Sequence, residues 1–490
     1  MTARARRTMV TLVTVMAACG GGGDDAPPVA DVTWYADVAP LLSAHCMGCH
    51  KPGGIAPFSL TEYDDAAPIA RQLLTAVETG IMPPFDARAQ PGCAPRHGWR
   101  DDPRLTSAEQ ATLRAWIDHD TPAGEVAPVP PPPLVELAGV NRTLVPSTPF
   151  VTTGDADQFI CFALDPAVTS LTWMTGLQIR AGNPDVVHHA VTVALFPKRS
   201  AADPDGPNEQ LRAAGTIGVP FDCADGGVTT MPNSFLLGVW TPGNQPIDLP
   251  RGVAAPLLAG SLIVIQIHYH PGGRVTNAPD ATAVDLRLDT VRPTQLYTAT
   301  AVGNAGRAPD LLPGPADRGA PEFRIPAGSA EHRESMRFTI GALDAPLPLL
   351  SAYPHMHYVG TGIDVEIARA APTAAQPADE CLYSGGWNFD WQRSYLYDAP
   401  IEALPTVATG DVIDVSCTYD NTVRNPFVQR ALAEAGLDAP IDVVLGEETL
   451  DEMCLGIFGV AVPFPPAARP ASEADVRGLL DRTALALTPR

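Results

Sequence analysis

Apolar positions follow two different patterns along this 490-residue chain, and the change falls near residue 126. Before it, residues 34–44 have helical spacing, and Thr106 and Glu109 have the spacing of a capping box in front of a second apolar helical run. After it come short runs rich in Val, Ile, Leu and Thr, such as 186–196, 261–270 and 412–419, separated by Pro, Gly and Asp. The patterns predict a multidomain protein, with a small all-α domain followed by an all-β region of β-sandwich type.

A proline-rich segment marks the boundary between these regions. Residues 126–133 contain five prolines, which exclude a helix interior or a central strand and favour a semi-rigid spacer. We therefore predict a helical domain over 31–125, a linker over 126–134 and a β region over 135–467. A tail over 468–490 contains a short amphipathic stretch, 473–487.

Composition narrows the class of protein. The formal net charge is -23, with 55 acidic and 32 basic residues, which makes nucleic acid a poor partner. The 52 prolines and 42 glycines accompany an apolar fraction of 45%, as expected for a folded, loop-rich chain.

The N-terminus has the features of an export signal. Arg4, Arg6 and Arg7 precede an uncharged stretch over 8–18 that is too short to span a bilayer. The stretch ends at Cys19, and its Met-Ala-Ala-Cys sequence resembles the lipobox of bacterial lipoproteins. The resemblance implies a signal peptide over 1–19 and a lipid on Cys19 that anchors the protein in the cell envelope, with the following glycines favouring the outer membrane. A plain signal peptide is the alternative.

One motif in the helical domain predicts covalent haem. Cys46, Cys49 and His50 form Cys-x-x-Cys-His, in which two thiols add to the porphyrin vinyl groups and the histidine is held against the iron. The alternative interpretations of this motif are a redox-active Cys-x-x-Cys pair and half of a zinc site. Met82 lies in a stretch resembling the loop that supplies the methionine ligand of class I cytochromes c. His45 and His97 are alternative ligands. The alternative role for Met82 is simple apolar packing.

Six further cysteines permit three disulfides in an oxidising compartment, with a connectivity that the spacing leaves open. They are Cys93, Cys161, Cys223, Cys381, Cys417 and Cys454.

Six of the seven histidines after the linker fall into three groups, which predicts metal binding. In a strand, residues i and i+2 share a face, so each His-x-His can present two nitrogens to one metal. The adjacent histidines can share an ion only at a strand end or a bulge. Without interleaved carboxylates, zinc or copper is favoured over calcium or magnesium. The groups are His188 with His189, His268 with His270, and His355 with His357.

The stretch Asp451-Glu452-Met453-Cys454 resembles the signature of the copper type II, ascorbate-dependent monooxygenases, the family of peptidylglycine and dopamine hydroxylating enzymes. Other landmarks follow in the family's order over about 140–467, including 237–247 and 416–419. The resemblance implies two packed, jelly-roll-like β-sandwiches, 135–290 and 291–467, with one copper on each. It also implies a Cys417–Cys454 disulfide. The implied copper ligands are His188, His189 and His268 at the first site, with His270 as the alternative to His268, and His355, His357 and Met453 at the second.

The resemblance further implies an activity. The second site would be catalytic, activating O2 to hydroxylate a C–H bond, while the first stores an electron. Family members use ascorbate as reductant; here a haem domain on a tether would replace or supplement it. Tyr353 and Leu455 stand where amidating members have a carboxylate-binding arginine and asparagine, so we expect a small, more apolar substrate. An electron-transfer or copper-binding protein without turnover, and a zinc hydrolase, are the alternatives.

Overall fold

The computed structural model describes residues 32–487 except 53, 55, 134, 155–156, 224–226, 272–276, 278, 305–310, 447–449 and 465–469, and the side chain of residue 434. The predicted signal peptide and the lipid site at Cys19 lie outside the described residues. Among the described residues, no helix combines the length and apolar character needed to cross a bilayer.

The N-terminal region is built from short helices. A π-helical turn, Trp34–Val38, continues into α1, and a 3-10 turn, Ala67–Ile69, joins α2 to α3; the helices are α1 (Ala39–His45), α2 (Tyr63–Ala66), α3 (Ala70–Glu78) and α4 (Ser107–Asp118). The predicted capping box opens α4, since Thr106 accepts from the Glu109 amide and the Glu109 carboxylate accepts from the Thr106 amide. Trp34 and Trp116 pack at the centre of a separate small core.

Strands dominate the rest of the chain, which confirms the expected β region. In its first part, which also holds α5 (Pro207–Ala214) and the 3-10 turn Val228–Thr230, the strands are β1 Arg142–Leu144, β2 Phe150–Val151, β3 Gln158–Leu164, β4 Thr172–Arg180, β5 Val187–Leu195, β6 Pro220–Asp222, β7 Ser234–Trp240, β8 Ile247–Asp248, β9 Val253–Leu257, β10 Leu262–Tyr269, β11 Pro279–Asp280 and β12 Ala283–Asp289.

The second part begins after a short turn at residues 290–294. It holds 3-10 turns at Phe389–Trp391 and Ile401–Ala403, together with α6 (Pro426–Ala435) and α7 (Glu473–Leu487). Its strands are β13 Gln295–Gly303, β14 Arg324–Ile325, β15 His332–Thr339, β16 Leu347–His355, β17 Gly360–Ala368, β18 Asp379–Gly386, β19 Tyr395–Leu396, β20 Thr406–Val407, β21 Val412–Tyr419, β22 Val443–Val444 and β23 Leu455–Pro463.

One long sheet runs through both parts. Its order is β1-β12-β4-β9-β13-β23-β16-β19, with β8 on β4 and β20 on β16, and the parallel pairing of β9 with β13 joins the two halves. The five-stranded sheet β6-β3-β10-β5-β7 and the four-stranded sheet β15-β21-β17-β18 accompany it. Buried residues from both parts form one hydrophobic cluster. The two predicted β units therefore share a sheet and a core.

The helical region is fixed to the second β part by the segment between α3 and α4. Ala87 bridges to Gly385, the Trp99 ring stacks on Tyr397 at 4.8 Å, and Cys93 is bonded to Cys381. Phe85, Ala87 and Trp99 belong to the large core. The expected tether is therefore reinforced by a packed and covalent attachment.

Two further disulfides lie in the β region. Cys417–Cys454 confirms the pairing that the resemblance implied, and Cys161–Cys223 joins β3 to the segment after β6. The amphipathic tail is α7, whose carbonyl at Ala486 accepts from the Gly341 amide.

Candidate functional site

A bulge brings the adjacent histidines together. Along β5 and β10, His268 pairs with His189 and Tyr269 with Val187, so His188 is an extra residue in its strand. An inserted residue breaks the alternation of side chains, which lets both histidines point to one side. The expected bulge is confirmed.

Three imidazoles converge at this bulge. The Nδ1 atoms of His188, His189 and His268 form a triangle with sides of 3.2, 3.3 and 3.4 Å. The centre of such a triangle lies about 1.9 Å from each corner, close to the length of a bond between a metal and an imidazole nitrogen. Among the described residues, these three form a group that can hold a metal ion.

The surroundings of His188 and His189 favour the neutral form, which metal ligation requires. Burial, together with the charge of His268, lowers the pKa of His188 to about 4. Burial also lowers the pKa of His189 well below its ordinary value. Neutral rings expose the lone pairs that would bind a metal.

Asp157, which the sequence did not indicate, distinguishes His268 from His270. Its carboxylate accepts from Nε2 of His268 at 2.9 Å and from Nδ1 of His270 at 2.6 Å. Although burial opposes it, these hydrogen bonds hold the pKa of Asp157 below its usual range. His268 thus has Nδ1 toward the cluster and Nε2 on a carboxylate, the arrangement typical of a metal-ligating histidine. His270 turns Nδ1 away, so this His-x-His does not act as a pair.

The second histidine pair lies where a strand ends. His355 is the last residue of β16, His357 follows in the turn, and their rings are nearly perpendicular with centroids 5.4 Å apart. Nδ1 of His355 lies 3.2 Å from the Gln392 side-chain oxygen, and Nδ1 of His357 lies 3.0 Å from the Asp451 carbonyl oxygen. An oxygen partner on one ring nitrogen is typical of histidines whose other ring nitrogen binds a metal.

Met453 is held just before β23 by its neighbours. Its amide donates to the Glu452 carboxylate at 2.7 Å, and the same carboxylate oxygen accepts from the His357 amide. The Tyr419 hydroxyl donates to the Met453 carbonyl at 3.3 Å. Burial raises the pKa of Glu452 to about 8, although surrounding amides favour its ionised form. One buried carboxyl group thus joins the two segments that carry the predicted ligands.

Both predicted metal sites face one cavity of about 1150 Å³, which His189 reaches from the first cluster and His355, His357 and Met453 reach from the second. No lysine or arginine occurs among the described residues that line it. Tyr353 donates its hydroxyl to Gln392 at 3.1 Å. The lining also includes the apolar residues Phe159, Val191, Leu236, Val239, Phe389, Leu450, Leu455 and Ile457.

A second cavity, of about 600 Å³, lies between the helical region and the β region. Its volume is within the roughly 300–1,000 Å³ common for cofactor sites. Cys46, Cys49, His50 and Met82 line one side. The opposite side includes His188, His270, Asp390 and Trp391.

The thiols in this cavity do not resemble a dithiol redox pair. Cys46 and Cys49 are not bonded to each other, and burial raises the pKa of Cys46 to about 12 and that of Cys49 above its ordinary value. Reactive Cys-x-x-Cys thiols have lowered pKa values instead.

The histidines of the helical region differ in availability. His50 Nδ1 lies 3.1 Å from the Phe58 carbonyl oxygen, which leaves Nε2 for a metal. His45 uses both ring nitrogens, on the Pro103 carbonyl at 2.7 Å and on Glu109 at 3.1 Å. His97 is bonded to Ala403, outside the described lining of the cavity. Met82 lines the same cavity as Cys46, Cys49 and His50.

No family model and no curated protein matches the chain. Among solved structures, that of Sulfolobus turreted icosahedral virus aligns with 60% of this chain and 97% of that chain, at 10% identity and a TM-score of 0.18. A structure of the Gt strain of infectious bursal disease virus aligns over 68% and 74%, at 10% identity and a TM-score of 0.17. Scores this low carry no argument about fold or function.

Proposed function

We propose that this protein is an oxidoreductase, a copper-dependent monooxygenase that hydroxylates a C–H bond with O2 and contains a covalently attached haem. The observation that carries the proposal is the position of the three-histidine cluster between two cavities. His188 lines the cavity of the Cys-x-x-Cys-His motif, and His189 lines the cavity that His355, His357 and Met453 share. This order suits electron flow from a haem, past one metal, to another.

The donor sets fit the groups that the proposal requires. Three imidazoles suit copper or zinc, and the combination of two imidazoles with a thioether favours copper, because sulfur is a soft ligand that stabilises Cu(I). Two free thiols beside a histidine with an available nitrogen suit covalent haem, which Cys46, Cys49, His50 and Met82 would hold as in a class I cytochrome c. Bound copper would supply one-electron chemistry toward O2, and bound haem would supply the electrons.

The protein's own residues perform the positioning. Asp157 orients His268, Gln392 orients His355 and the Asp451 carbonyl orients His357, each through one ring nitrogen, and these histidines would hold the metal ions. We assign no general base.

We propose a small, more apolar substrate rather than a carboxylate. No described lining residue is a lysine or arginine that would pair with a carboxylate, and the Tyr353 hydroxyl is already engaged by Gln392. Peptide amidation is therefore disfavoured. Release of glyoxylate from a peptide ending in glycine would contradict this assignment.

We also propose the finer assignments of fold and location. The helical region would be a cytochrome c domain, and the two halves of the β region would be jelly-roll-like sandwiches. The disulfides support an exported protein. A lipid on Cys19 would then attach it to the cell envelope, facing the periplasm at the outer membrane.

The test is the haem and metal content of the purified chain, followed by electron paramagnetic resonance (EPR) of the oxidised protein. We expect one haem and two type II coppers, with one copper lost in Met453→Ala. Haem accompanied by zinc, or by no copper, would contradict the proposal.

A second candidate is an electron-transfer or copper-binding protein without turnover, which the presence of His188 in the haem-cavity wall also supports. Oxygen consumption that depends on an added apolar substrate distinguishes the two.

A further inference from the structure

A single short turn separates the two cavities. It comprises the 3-10 turn Phe389–Trp391 and the next residue, Gln392. Asp390 and Trp391 line the cavity of the haem motif, whereas Phe389 and Gln392 line the cavity shared by the two predicted metal sites. The turn is therefore a wall of both.

This turn also contacts a histidine of each cluster. The Gln392 side-chain oxygen lies 3.2 Å from Nδ1 of His355, and a carboxylate oxygen of Asp390 lies 3.9 Å from Nε2 of His188. The Trp391 indole is connected to the His355 ring through the backbone that joins Trp391 to Gln392, the Gln392 side chain, and the hydrogen bond between Gln392 and His355.

Internal bonds hold the turn in this conformation. The Asn388 side chain accepts from the Asp390 amide at 3.0 Å, and the Gln392 side-chain amide donates to the Phe389 carbonyl at 3.2 Å. Arg430 donates to Asp390 at 2.8 Å. These bonds fix the backbone of the turn and the Gln392 side chain.

We propose that Trp391 and Gln392 form an electron-transfer route from the haem cavity to the second metal site that does not pass through the three-histidine cluster. The inference rests on the proposed function, since it requires a haem and a copper at their predicted sites. In the step, ferrous haem loses one electron and becomes ferric, while Cu(II) at His355, His357 and Met453 gains it and becomes Cu(I). No proton or leaving group is involved, and an external one-electron donor reduces the haem beforehand.

The physical reason is the continuity of the connection. Electron tunnelling decays more slowly through covalent and hydrogen bonds than through solvent. An electron that leaves the first cluster for the second must cross or go round the shared cavity, which His189 and His355 both line. The turn offers a bonded alternative.

The experiment uses the full chain carrying His189→Ala, which removes a ligand of the first cluster but does not touch the haem cavity. Haem and copper contents are measured first, and one haem with one copper is expected. The haem is then reduced under anaerobic conditions with half a mole of dithionite per mole of haem, which supplies one electron per chain. Its reoxidation is followed by stopped-flow absorbance, and loss of the Cu(II) signal is followed by freeze-quench EPR.

We expect haem reoxidation to accompany loss of the remaining Cu(II) signal. In the same background, Gln392→Leu, which removes the bond to His355, should slow the transfer about tenfold or more, by analogy with the loss of other groups that orient metal ligands. Trp391→Leu should also slow it, and Trp391→Phe should recover part of the rate. Gln392→Glu keeps an oxygen for His355 and should restore most of it.

Phe389→Leu is the matched control, because it alters the same turn outside the connection and should leave the transfer rate within about twofold, as expected for a side chain that orients no ligand. Midpoint potentials of haem and copper are measured in each variant, so that a change in driving force is corrected for. A chain that binds haem and copper but transfers no electron without the first cluster would overturn the route and leave the proposed function intact. Failure to bind either group would overturn both.

Discussion

The two predicted metal sites are assembled in different ways. In the first, His188, His189 and His268 come from neighbouring strands, and the register of β5 with β10, including its bulge, brings their Nδ1 atoms within 3.4 Å of one another. In the second, His357 and Met453 lie outside regular strands, and the Glu452 carboxylate and the Cys417–Cys454 disulfide hold their segments together.

The difference shows which interactions set each geometry. A β-ladder positions ligands through many backbone hydrogen bonds, so the first site should keep its metal, although more weakly, when a single side chain that is not itself a ligand is lost. The second site depends on a few buried side-chain contacts, so it should be sensitive to each of them.

The largest effects should follow removal of a ligand, and they should be confined to one site. His189→Ala should eliminate the first copper and Met453→Ala the second, because each leaves only two strong donors. Metal analysis with EPR measures both losses. Loss of both coppers in either variant would contradict the independence of the sites.

The next largest difference in copper occupancy between the two sites should follow replacement of Glu452. Glu452→Ala leaves the amides of His357 and Met453 without their acceptor in a buried place, at a cost of ~3 kcal/mol in the free energy of unfolding. Copper occupancy should fall at the second site and persist at the first. Urea unfolding and metal analysis provide the measurements. Glu452→Gln, which retains an acceptor oxygen, is the control and should lose less stability.

A smaller effect should follow replacement of the carboxylate behind the first site. Asp157→Ala removes the acceptor of His268 Nε2, and loss of such partners weakens metal binding about 10- to 100-fold. Competition with a copper chelator measures this affinity. Equal weakening at the second site would show that Asp157 acts through general stability rather than through His268.

The smallest effect is expected at His270. Its ring bonds to Asp157 and not to the cluster, so His270→Gln should change the affinity of the first site by less than about threefold, well under the effect of losing Asp157 itself. The same chelator competition measures it. A loss of copper as complete as in His189→Ala would identify His270 as a ligand and contradict the geometry.

Local sequence signals anticipated much of the fold. The capping box at Thr106, the strand over 412–419 and the need for a bulge at His188 and His189 all depend on residues close together in sequence. The family resemblance added the Cys417–Cys454 pairing. Single-residue partners such as Asp157 and Gln392 had no such signal, because an isolated aspartate or glutamine resembles any other polar residue.

The amino-acid sequence by itself determined the order of helical and β regions and which residues have the chemistry of haem and metal ligands, since periodicity and short motifs are local properties. Only the tertiary structure decided that β9 and β13 join the two β parts, that Cys93 pairs with Cys381, and that His188 lines the cavity of the Cys-x-x-Cys-His motif. These relations join positions far apart in the chain. They depend on how sheets and helices pack together, which no local pattern specifies.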